Sequence, residues 1–83
     1  MTNHPHRGWR GRWTVDTAAR EARHGPSGLV VRFERATDGG AWDGTSPNGQ
    51  ATFEALREVH GAAEAGRQLA RLMREAGEIW SER

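Results

Sequence analysis

Arginine and tryptophan are the residues of this chain best equipped for recognition chemistry. The first grouping is His6-Arg7-Gly8-Trp9-Arg10-Gly11-Arg12-Trp13, in which arginines and tryptophans alternate with glycine. A guanidinium pairs bidentately with phosphate, and an indole stacks on an unpaired base. Arg7, Trp9, Arg10 and Arg12 are therefore candidates for weak binding of RNA or single-stranded DNA. The second grouping is Arg67, Arg71 and Arg74, whose spacing puts them on one helical face. That stripe is either a solvated mixed-charge face or a docking surface for an acidic partner. Trp42 stands apart, among Gly39, Gly40 and Gly44. It either folds back as a lid over a sheet or projects as an anchor, a role in which Trp and Arg are enriched at binding surfaces. Trp42, Arg67, Arg71 and Arg74 are the candidate partner-binding residues.

Catalytic constellations are harder to find. The chain has no cysteine; Ser27 and Ser46 flank prolines and Ser81 lies near the end, none of them in a G-x-S-x-G elbow. His24 and His60 have no third group at a recognised spacing. Glu54 and Glu58 lie side by side on a helix, but the Glu-x-x-His pattern of a di-metal bundle would need Glu where Arg57 stands. The glycines at 39, 40 and 44 match neither a P-loop nor G-x-G-x-x-G. Once Met1 is removed, Thr2-Asn3-His4 can wrap Cu(II) or Ni(II) in square-planar nitrogen geometry, as any chain with this terminus can. The expectation is a protein that is not an enzyme, with no cofactor and no dedicated metal site.

The elements that must position these residues follow from periodicity. Residues 1–8 lack an apolar period and are expected to form a flexible tail, leaving 9–83 as a single small domain. Trp13 and Val15 alternate with polar neighbours, and Leu29, Val31 and Phe33 do the same more clearly, so both stretches predict strands. Only eight residues, 17–24, separate Asp16 from the Gly25-Pro26-Ser27-Gly28 turn, too few for a parallel crossover. The reading is a turn at 17–20 and a short middle strand at 21–24, with a single helical turn as the alternative. Residues 37–49 read as loop, with Ala41-Trp42 a brief edge strand. Thr52 to His60 predicts a helix ending at Gly61. From Ala62 onward, Ala65, Leu69, Leu72, Met73, Ala76, Ile79 and Trp80 follow one helical face. Strands then helices indicate an α+β fold: a small antiparallel meander of about three strands, then two C-terminal helices, the long last one packed on the sheet.

Composition bounds the rest. Of 83 residues, 12 are Arg, 11 are acidic and none is Lys. The sequence pI near 9.0 overstates basicity, because without Lys, Tyr or Cys little titrates between about pH 7 and 12. Residues 1–40 carry a balance of +3 and residues 41–83 a balance of −2. Val, Leu, Ile and Phe number only 11, so the core is thin, and extra burial against a bound target or in a homodimer is expected. No run approaches the roughly 20 apolar residues of a membrane span, and no signal segment opens the chain, so a cytoplasmic protein is expected. On this reading Trp9 and Trp42 fall outside the core pattern. The favoured function is a non-enzymatic protein–protein interaction module. Small accessory or inhibitor proteins of bacteria, phage or mobile elements, anti-CRISPR proteins among them, share this profile by analogy of size and composition alone.

Overall fold

The computed structural model describes residues 8–37 and 39–83. The expected tail up to residue 7, the Thr2-Asn3-His4 terminus and Arg7 lie outside the described residues. A 3-10 segment, Gly8–Arg12, leads into strands β1 (Trp13–Asp16), β2 (Glu21–His24), β3 (Val30–Arg35) and β4 (Trp42–Thr45). Helices α1 (Gly49–His60) and α2 (Ala62–Ser81) follow. The strands form one antiparallel sheet in the order β1-β2-β3-β4.

The β1–β2 hairpin resolves the ambiguity of residues 17–24 in favour of a turn and a strand. Asp16 Oδ1 accepts the Ala19 N–H at 3.0 Å, and Arg20 takes a left-handed φ of 58°. Tertiary pairing overrides the helical propensity of the Ala/Arg/Glu stretch: Val15 faces Ala22 and Ala22 faces Val31 across consecutive strands. Alternation then decides the faces. Trp13, Ala22, His24, Val31 and Phe33 are buried on one side. On the other, Glu21 is clamped by Arg32 at 2.9 Å and Arg23 at 3.2 Å. Hydrogen bonding from Arg32, and secondarily from Arg23, holds the Glu21 carboxyl below the usual carboxylate range.

The sheet has a fourth strand, longer than the brief edge expected at Ala41-Trp42. The glycine that made this stretch read as loop is the reason the strand fits. A Cβ at Gly44 would come within 2.9 Å of Phe33 Cε1 and 3.2 Å of Val31 Cγ1. Gly44 pairs with Phe33 in register, so the missing side chain lets the Phe33 ring lie over the strand. Beyond the end of β4, side chains continue the ladder. Asn48 Oδ1 accepts the Val30 N–H at 2.9 Å, Ser46 Oγ donates to Val30 O at 2.6 Å, and Asn48 Nδ2 donates to Gly28 O at 2.8 Å.

α1 begins three residues earlier than Thr52, with Thr52 buried and its hydroxyl donating to Asn48 O. Gly61, at φ 85°, turns the chain between the helices, a conformation that L side chains adopt at a cost. α2 spans two environments. Leu72, Ala76, Ile79 and Trp80 join the sheet core, with Leu69 and Met73 half-buried beside it. Ala65 is buried outside that cluster, on the half of α2 that packs on α1. α1 itself leaves Val59 76% exposed. Among the described residues, no helix is long and apolar enough to cross a membrane.

Trp9 departs from expectation. It is half-buried and packs against the core rather than lying outside it. The 3-10 segment is drawn toward the C-terminal end of α2, where Arg10 donates to both carboxylate oxygens of Glu82, the residue that caps the helix, at 2.9 and 2.7 Å. Arg10 in turn lies over the Trp9 ring at 4.4 Å.

Candidate functional site

Parity along β3 continues past its buried residues. Val31 and Phe33 face inward, so Arg35, two residues on, shares their side at the open end of the sheet. Its cross-strand partner is Trp42, the first residue of β4. The Trp42 indole meets Trp80 edge-on, with ring centroids 5.5 Å apart and planes at 78°. Trp80 also stacks on Phe33 at 4.7 Å and 5°. Trp42 is thus part lid and part exposed surface: it closes the aromatic stack, yet stays half-buried.

Three guanidinium groups surround this indole. Arg83 lies 5.0 Å, Arg35 5.4 Å and Arg20 5.7 Å from the ring centroid. Arg83 also sits 4.2 Å over Trp80 and donates to the Trp80 carbonyl at 2.6 Å. These residues come from the β1–β2 turn, the end of β3 and the end of the chain, and the fold alone brings them together. Each cation–π contact is worth about 0.5–1 kcal/mol at an exposed site.

The distribution of ion pairs separates this cluster from most of the other described arginines. Arg10, Arg23, Arg32, Arg57, Arg67 and Arg71 each pair with a carboxylate. Arg20, Arg35 and Arg83 make no ion pair with a described carboxylate, and neither do Arg12 and Arg74. Three guanidinium groups without a described carboxylate partner, set around a half-exposed indole, can take a carboxylate or phosphate on their forks and an apolar or planar group on the ring face.

The remaining candidates are distributed elsewhere. Arg67, Arg71 and Arg74 turn away from Trp80 by about 120–180° around α2, so they do not join Trp42. Arg67 is held by Glu64 at 2.6 Å, and Arg71 pairs with Glu75 at 3.5 Å. Of the proposed nucleic-acid residues, Arg10 is committed to Glu82, whose hydrogen bond raises its pKa against the lowering effect of burial. Trp9 and Arg12 instead meet Arg71 at a cleft of about 510 Å³ on the other side of α2. His24 lines this cleft, its Nδ1 2.7 Å from Ser27 Oγ and 3.3 Å from the Ser27 backbone nitrogen. An N–H can only donate, so Nδ1 accepts and the imidazole carries its proton on Nε2. Ser27 Oγ also accepts the Leu29 N–H at 3.2 Å, which makes the Ser27–His24 pair a closed turn. Among the described residues, no group of three or more His, Cys, Asp or Glu side chains could hold a metal ion.

Sequence reading missed Arg20, Arg35 and Arg83. For Arg35 a signal existed, an arginine in core phase at the end of the best strand. Arg83, three residues after Trp80, shares its helical side. Nothing local marks Arg20, which the turn delivers. Comparison with protein-family models, curated proteins and solved structures finds no match to this chain.

Proposed function

We propose that this protein is a non-enzymatic interaction module whose recognition face is Trp42 with Arg20, Arg35 and Arg83, and whose partner is an acidic protein surface. The observation that carries this reading is the convergence of three guanidinium groups, none paired with a described carboxylate, on one half-exposed indole. Trp and Arg dominate binding hot spots, because a rigid ring and a planar fork lose little freedom on contact. A carboxylate-bearing partner supplies the counter-charge that the described carboxylates do not supply here. Self-association through this face is disfavoured, since a two-fold axis would set guanidinium groups against their own copies.

The nucleic-acid reading, through Arg7, Trp9, Arg10 and Arg12, is the competing outcome. Its described members are partly occupied, Arg10 by Glu82 and Trp9 by the core. The test is affinity capture from the organism's own lysate after nuclease treatment, using the wild type, Trp42→Ala and Arg20→Glu/Arg35→Glu, with folding of each checked by circular dichroism. The expected result is a protein retained by the wild type and lost by both folded variants. Retention that vanishes with nuclease, or that survives the charge reversal, would overturn the proposal.

A further inference from the structure

The cleft on the other side of α2 has a different chemical character from the Trp42 face. Its volume of about 510 Å³ falls in the range of small-molecule sites, about 300–1,000 Å³. Trp9, Leu56 and Leu72 supply apolar wall from the 3-10 segment, α1 and α2. Arg12 and Arg71 supply positive charge. Glu75 is the opposing group, and it is already engaged: Oε1 accepts the Trp13 indole N–H at 2.9 Å and Oε2 faces Arg71 Nε at 3.5 Å. Arg12 then leaves an excess positive charge at the cleft, with no described carboxylate paired to it. His24 adds a donor, since Ser27 occupies Nδ1 and no described group bonds Nε2.

We propose that this cleft binds a small aromatic carboxylate. The carboxylate sits on Arg12, with Arg71 adding attraction. The ring lies against Trp9, Leu56 and Leu72, and His24 Nε2–H is available to a polar substituent. Burial is the main cause that lowers the His24 pKa, with Arg12 and Arg71 adding to it and Glu75 opposing, so the imidazole meets the ligand as a neutral donor at neutral pH. The site is independent of Trp42, and each can fail without the other.

The four tryptophans provide the readout, because each indole N–H gives its own resonance in a ¹H–¹⁵N spectrum. The probe is 2-naphthoate, with 2-naphthamide as its uncharged counterpart. The proposal expects a saturable shift of the Trp9 resonance on adding 2-naphthoate, unchanged Trp42 and Trp80 resonances, and the same titration in Trp42→Ala. Loss of the charge-assisted contact should weaken binding about tenfold or more, both for 2-naphthamide on the wild type and for 2-naphthoate on Arg12→Gln. The amide arm needs no variant, so it decides even if Arg12→Gln folds poorly. No saturable shift, equal affinity for acid and amide, or shifts confined to Trp42 and Trp80 would overturn it.

Discussion

Two tryptophans that look alike in the sequence differ in how their indole nitrogens are treated. Trp13 Nε1–H donates to Glu75 at 2.9 Å, whereas Trp80 Nε1–H is buried with no hydrogen-bond partner among the described residues. Replacing a bonded donor orphans its partner, while removing an orphan relieves a desolvation cost of about 1–3 kcal/mol. Trp13→Phe should therefore destabilise more than Trp80→Phe, although both shrink the core. Urea denaturation of the two variants checks the order, and equal or reversed losses would contradict it. His24 gives a pH signature. Its pKa is lowered in the folded chain, so between that value and about 6.5 the unfolded chain binds more protons. Its contribution to stability is complete above about pH 6.5 and is lost as pH falls toward the folded pKa. The urea midpoint should drop between pH 7.5 and 5.5, and by less in His24→Gln. Glu21, Glu54 and Glu64, whose pKa values also lie low, act below that window.

At the scale of elements, the glycines show how much was legible. The long C-terminal helix and the strand ending in Arg35 declared themselves by period, because each buries apolar residues that recur on one face. β4 did not, because its fit depends on Gly44 lacking the very atom that pattern reading relies on. Gly44→Ala should cost about 1–3 kcal/mol by overpacking against Phe33 and Val31. It should also shift the Trp42 indole resonance, since Trp42 lies on the same short strand. Gly66 and Gly77, inside α2 with open space where a Cβ would go, are the opposite case. Gly66→Ala and Gly77→Ala should each stabilise by about 0.5–1 kcal/mol through helix propensity. Thermal denaturation of the three variants separates the two kinds of glycine, and a destabilised Gly66→Ala would contradict the assignment. The turn at 17–20 was legible only by counting, since eight residues leave no room for a crossover. The position of Arg20 beside Trp42 was not legible, because it arises from a left-handed residue in that turn.

For the whole molecule, α2 is a divider. One side carries Trp80 and, through it, the Trp42 cluster; half a turn away Arg71 lines the cleft with Trp9 and Arg12. A chain with a net charge of only +1 thereby presents concentrated positive charge in two separate places. Local pairing contributes: carboxylates hold Arg57, Arg67 and Arg71 on the helices and Arg23 and Arg32 on the outer sheet face, whereas Arg20, Arg35 and Arg83 pair with no described carboxylate. The proposed function has these three and Trp42 recognise an acidic protein. Its most direct test is a ¹H–¹⁵N indole titration with a glutamate-rich peptide and, separately, with oligouridine. The peptide should shift the Trp42 resonance saturably and leave Trp13 in place, with the effect weakened by salt and abolished in Arg20→Glu/Arg35→Glu. A peptide that leaves Trp42 unmoved, or an oligouridine that binds through Trp9 while the peptide does nothing, would contradict it.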